Sequence, residues 1–262
     1  MSKTILITGA SSGIGKEAVS YFLSKNHTVI GLSRKKPLDV EIPYYECDLQ
    51  DTSNIIETVK QIKQDYSRID ILINCAGVGT GGAIEEIESD LMKWVFEVNL
   101  FGLIELTKGF IPILKQGSNP KIINVGSVAG EITIPFQTSY SMAKASLQKF
   151  TEGLRIELKP FHIEVTTILP GDTKTGFTNH RKTIIKDLSP YKDRIERSIK
   201  KMEYDEQNGV SPLKVVKVID RLINKKRLPV QRIVGLDYKL LVLLSKLLPK
   251  KIVEKIITKM YG

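Results

Sequence analysis

Apolar residues along the chain follow two rhythms. Short, mostly apolar runs at 4–8, 28–32, 44–47, 70–73, 122–125, 163–168 and 230–234 alternate with longer stretches whose apolar positions recur at helical spacing. A short run that is apolar on both faces predicts a strand buried in a parallel sheet. The helical rhythm opens near Gly13, spans 52–65, 89–115 and 139–158, and resumes from Pro212 to about 226. Asp51 or Thr52 is placed to cap the second of these helices, and Ser211-Pro212 joins an N-cap residue type to proline at the first helical position. Alternation of the two rhythms predicts an α/β fold, a mostly seven-stranded parallel sheet with helices on both faces. Between the last two runs, 172–208 shows no clear strand; its charged, partly helical pattern predicts a lid over a binding site.

Composition narrows the class. The chain has 262 residues, enough for one large domain with a substantial core, and no linker, repeat or low-complexity segment divides 1–262. The first apolar run is short and continues into glycines, which is not the pattern of a secretory leader. Cys47 and Cys75 lack metal-ligand or Cys-x-x-Cys spacing and read as reduced structural thiols, which predicts a cytoplasmic location and no metal. The net charge is +10, and residues 213–262 account for it with 13 Lys or Arg against 3 Asp or Glu. Confined to that fifth of the chain and without interleaved aromatics, the charge argues against a nucleic-acid partner. Within the tail, 236–262, the leucines at 240–248 form a run too short to cross a bilayer, which takes about 20 apolar residues. After Pro249, Ile252, Val253, Ile256, Ile257 and Met260 share one helical stripe opposite Lys250, Lys251, Lys255 and Lys259. Three readings of this basic amphipathic extension stay open: peripheral contact with an anionic membrane surface, a flap over an apolar substrate pocket, or a subunit contact.

Candidate chemistry begins where the first strand ends. Thr8-Gly9-Ala10-Ser11-Ser12-Gly13-Ile14-Gly15 places a glycine turn between a strand and a helix N-terminus, whose free N–H groups and dipole favour a phosphate. Gly9 would permit the turn, Gly13 the approach of a pyrophosphate, and Gly15 close packing of helix on strand. Their spacing, Gly-x3-Gly-x-Gly, is not the common dinucleotide fingerprint. The second strand ends at Ser33-Arg34-Lys35-Lys36, where an acidic residue would accept from a ribose hydroxyl. Arg34 instead offers a fork suited to a 2′-phosphate, pointing to NADP(H) over NAD(H); a solvated basic turn is the alternative. Tyr140 and Lys144 stand four apart at the head of a helix, one above the other. A nearby lysine cation is expected to lower a tyrosine pKa and suit it to general acid–base work.

In this order, the glycine turn, Asn74-Cys75-Ala76-Gly77, Asn99, Ser127, Tyr140-x3-Lys144 and Pro170-Gly171 resemble the short-chain dehydrogenase/reductase family over residues 4 to about 175. Cys75, and Gly126 before Ser127, depart from residues common in that family. The resemblance implies a Rossmann-like, doubly wound sheet and hydride transfer between NADP(H) and a small-molecule carbonyl or alcohol. It implies that Tyr140 donates or removes the proton, that Ser127 binds the substrate oxygen, that Lys144 binds the nicotinamide ribose, and that Asn99 holds a water in a proton relay. Asp48 and Leu49 would sit near adenine, Asn74, Ala76 and Gly77 on the adenosine side, and Pro170, Gly171, Thr173 and Thr175 beside nicotinamide and pyrophosphate. Ser11, Ser12, Ile14 and Ser33 complete the expected cofactor contacts. A homodimer or homotetramer through the long helices is also implied. His180 is a candidate substrate contact or a solvated loop residue. A lipid-like, steroid-like or acyl substrate is the expectation from the apolar tail. The competing hypothesis is a non-catalytic NADPH sensor, against which the intact Asn-Ser-Tyr-Lys set argues.

Overall fold

The computed structural model describes residues 2–36 and 41–262. Strands β1 (Thr4–Thr8), β2 (Thr28–Ser33), β3 (Tyr44–Glu46) and β4 (Ile71–Asn74) alternate with helices α1 (Gly13–Ser24) and α2 (Thr52–Asp65). A two-residue strand β5 (Thr80–Gly81) follows, then α3 (Ser89–Phe96), a π turn at Glu97–Phe101 and α4 (Gly102–Leu114). The second half runs β6 (Lys121–Val125), α5 (Thr138–Glu157), β7 (Glu164–Pro170), β8 (Lys182–Thr183), α6 (Lys192–Gln207), α7 (Pro212–Ile223) and β9 (Gln231–Val234). The chain ends in two 12-residue helices, α8 (Leu236–Leu247) and α9 (Lys250–Tyr261).

Seven strands form one sheet in the order β3-β2-β1-β4-β6-β7-β9, with every pairing parallel. Within each continuous apolar run the side chains alternate between two cores, because successive residues of a strand point to opposite faces. Ile5 and Ile7 of β1 and Ile71 and Ile73 of β4 pack on α1 and α7 through Val19, Phe22, Val216 and Ile219. Leu6, Leu72 and Ile122 pack on the other face against Val59 and Ile62 of α2 and Leu106 and Phe110 of α4. The strand order reverses between β1 and β4, and at such a switch point two connections leave the carboxyl edge in opposite directions and open a crevice.

Several details differ from the pattern-based expectation. The 89–115 helix is interrupted by the π turn that carries Asn99. Asp51 caps α2 as expected, accepting from the Asn54 N–H at 3.0 Å. Ser211 instead uses its main-chain carbonyl, which accepts from the Lys214 N–H at 2.9 Å, and no side-chain cap forms. Segment 172–208 has its helical part in α6 as expected, but it also carries strand pairing: β8 pairs with β5, and Thr173 bridges Val210.

Candidate active site

Loops at the carboxyl ends of the sheet strands enclose a cleft of about 1410 Å³. Of the catalytic, cofactor-binding and substrate-contact candidates read from sequence, all except Asn74 and Asn99 line it.

Its floor is the turn after β1. Gly9 has φ +66 and Gly13 φ +53, backbone that favours glycine. A Cβ on Gly15 would lie 2.2 Å from the Gly9 carbonyl oxygen, so only glycine lets α1 seat this close to β1. The Thr8 hydroxyl accepts from the N–H groups of Cys75 and Ala76, both at 3.0 Å, and stitches the ends of β1 and β4 together. Sequence reading placed Thr8 in the turn motif but gave it no role; a hydroxyl closing an otherwise apolar strand was the available signal. Helix α1 has no acidic residue in its first turn, leaving its positive end unopposed for an anion.

At the end of β2, Ser33 hydrogen-bonds Tyr44 and donates to the Lys35 carbonyl at 3.2 Å, shaping the bend that leaves Arg34 exposed at the cleft edge. Asp48 and Leu49 line the same end. The glycine cradle, the helix N-terminus and this rim fit a dinucleotide coenzyme. Gly13, Ala76 and Gly77 offer backbone where it would pass, and a Cβ on Gly77 would stand 2.9 Å from Asn99 Oδ1.

Asn74 lies elsewhere. Its side chain turns into the sheet and donates to Thr107 Oγ1 at 3.1 Å and to Asn124 Oδ1 at 2.8 Å. Asn99 is fully buried, and its amide pairs with both backbone groups of Val78, accepting at 2.9 Å and donating at 2.8 Å. That side chain therefore fixes the loop after β4. A residue's spacing in sequence does not reveal a two-handed bond to backbone far along the chain.

Tyr140 and Lys144 project from the first turns of α5, and Ser127 stands at the end of β6. Ser127 Oγ accepts from the Ala129 N–H at 3.1 Å and directs its own proton at the Tyr140 phenol. Burial pushes the Tyr140 phenol up to about 12, partly offset by the Ser127 hydroxyl; Glu206 adds to the rise, Arg181 opposes it, and Asp172 adds to it. Burial also lowers Lys144 to about 8. Its ammonium donates to the Val125 carbonyl at 3.1 Å and lies 5.8 Å from the Tyr140 ring centre. The expected lowering of the phenol by this lysine is not seen: burial dominates both groups and disfavours either charge. Burial also pushes the Cys75 thiol up to about 12, which keeps it protonated beside the cleft.

The opposite wall comes from regions the motifs do not reach. Phe177 packs on Tyr140 with ring centres 5.7 Å apart. Arg181, buried, pairs with Glu206, which also accepts from Thr178. From the tail, Tyr238 donates to Asp172, and its ring fills the space a side chain at Gly171 would need. Tyr261 donates to Asp205 of α6 at 3.1 Å. Leu241, Ile257 and Met260 join Ile132 and Ile134 as apolar lining. His180 is exposed at the cleft edge, its Nδ1 2.7 Å from the Gly176 carbonyl. Among the described residues no group of His, Cys, Asp and Glu is placed to hold a metal.

A family model described as short chain dehydrogenase matches residues 3–184. A 3-ketodihydrosphingosine reductase from Bacteroides thetaiotaomicron is 36% identical over 236 residues, covering 88% of this chain and 87% of that protein. Among solved structures, a short chain dehydrogenase/reductase from Burkholderia phymatum in complex with NAD superposes with a TM-score of 0.81, at 20% identity over 94% of this chain and 93% of its own. A short chain dehydrogenase from Burkholderia cenocepacia in complex with NADP gives 0.76, at 21% identity over 98% and 97%.

Proposed function

From the premise that the chain belongs to the short-chain dehydrogenase family, an oxidoreductase family acting on CH–OH or C=O groups, we propose that it is an NADP(H)-dependent reductase of an apolar, lipid-like ketone. The observation that carries this reading is the convergence of Ser127, Tyr140 and Lys144 beside a glycine cradle, under a wall of apolar residues from the tail. The bound coenzyme supplies hydride to the carbonyl carbon. Tyr140, protonated well above neutral pH, donates its proton to the carbonyl oxygen as charge develops there. Ser127, whose hydroxyl proton turns from the Tyr140 oxygen to the substrate, donates a hydrogen bond to the same oxygen. Lys144, held by the Val125 carbonyl, keeps two donors for ribose hydroxyls and faces the developing phenolate with positive charge.

Preference for the phosphorylated coenzyme rests on Arg34 and on the absence of an acid at the end of β2. The relatives' fold accommodates either coenzyme, so this loop carries the discrimination. The lipid-like substrate rests on the apolar lining from Ile132, Ile134, Leu241, Ile257 and Met260 and on the substrate named for the Bacteroides relative. A homo-oligomer is supported by exposed Phe101 and Met142 beside and on the long helices. A non-catalytic sensor is disfavoured, since binding alone does not call for a buried donor set beside the cleft.

The test is Tyr140→Phe with NADPH and a long-chain 3-ketone, followed by nicotinamide absorbance. Coenzyme affinity should persist while turnover falls about 10²- to 10⁴-fold, the usual share of a general acid. Turnover near wild type would overturn the assignment.

A further inference from the structure

Helices α8 and α9 turn their two sides to different surroundings. On the inside, Tyr238, Leu241, Val242 and Ile257 join one apolar cluster with Val128 and Leu169. On the outside, Leu236 is 84% exposed, Leu240 57%, Leu243 52% and Leu247 72%, and Ile252 and Ile256 are exposed as well. The α8 positions fall on one stripe at helical spacing, which a water-facing helix does not call for. Lys239, Lys250, Lys251, Lys255 and Lys259 are exposed around these residues. Each helix has 12 residues, and no described helix is long and apolar enough to cross a membrane.

We propose that this outer face docks flat on an anionic lipid surface and opens the cleft toward the acyl layer. Charge selects the occupant. A two-fold contact with a second copy would set two faces against each other that each carry these five lysines against only Asp237 and Glu254 as exposed acids on α8 and α9. Lipid phosphates offer the opposite charge, while lysine stems lie along the apolar boundary. Continuity with the cleft points the same way: Met260 is 41% exposed and also lines the cleft, beside Ile257 and Leu241. Docking stands apart from the reductase reading; only delivery of an apolar substrate rests on it.

Full-length protein is sedimented with phosphatidylcholine vesicles with and without phosphatidylglycerol, at low and high salt. It should partition to the anionic vesicles, less at high salt and less on neutral vesicles. Replacing Leu243 and Leu247 with serine should weaken partitioning roughly tenfold or more, since both leucines are inserted. Lys251→Glu with Lys255→Glu should weaken it at least about fivefold on anionic vesicles alone. Both double variants should keep the wild-type melting temperature and the turnover of a soluble carbonyl without vesicles, which reports the enzyme reading separately. Failure of the wild type to bind anionic vesicles, or equal partitioning of wild type and leucine variant, overturns the proposal. So does a wild-type dimer that dissociates in the leucine variant, which assigns the face to a second copy.

Discussion

Tyr140 and Lys144 line one cleft, yet burial moves them in opposite directions, the phenol up to about 12 and the ammonium down to about 8. The sign of the pH dependence follows. In the proposed reduction Tyr140 is the donor and must be protonated, and burial keeps the phenol so across the neutral range. Lys144 is charged below about 8 and loses its charge as pH rises through that value. The kcat/KM for reduction, which reports the free enzyme, should therefore be level near neutrality and fall above pH about 8. In Lys144→Met that limb should vanish along with much of the rate; an unchanged alkaline limb would assign it to another group. The Tyr–Lys spacing was legible in the sequence, whereas the burial that sets both pKa values was not. Asn99 shows the same divide, since its identity stood out while its two-bond clasp on Val78 depended on where the chain returned.

Among the elements, the β1–α1 turn is the least tolerant of change. Gly15→Ala would drive a methyl to 2.2 Å from the Gly9 carbonyl, a backbone atom with nowhere to move. An overpacked contact of this kind costs about 1–3 kcal/mol or more, so urea unfolding should show reduced stability and titration with NADPH a weaker affinity. At the neighbouring turn, Arg34→Asp should exchange a phosphate fork for a ribose acceptor. The ratio of kcat/KM for NADPH over NADH should fall roughly tenfold or more, given about 1.5–3 kcal/mol for a hydrogen bond to a charged group. Both turns were readable because strand length, glycine placement and helix start are local properties. The π turn within 89–114 was not readable, because its helical rhythm matches that of an unbroken helix.

On the scale of the whole molecule, the tail supplies one wall of the cleft. Tyr238 packs on Gly171 and Tyr261 bonds to α6, so the last two helices close a wall that the family-like residues leave open. Ile257→Asn should raise KM for a long-chain ketone roughly tenfold, the worth of a few apolar contacts. It should leave kcat for a short carbonyl and the KM for NADPH unchanged. Equal loss on short and long substrates would move Ile257 from the substrate wall to general packing.

Local order in the sequence determined the seven strands of the main sheet, most helix starts and the glycine turn, and it picked out the proposed reacting set, because strand and helix periodicities and backbone stereochemistry act over a few residues. Tertiary structure alone decided which loops meet, that Asn74 turns into the sheet, that 172–208 is tied down by β8 and α6, and that the tail roofs the cleft. These outcomes depend on contacts between residues far apart in the chain, and on the dryness those contacts create, for which no local pattern carries a signal.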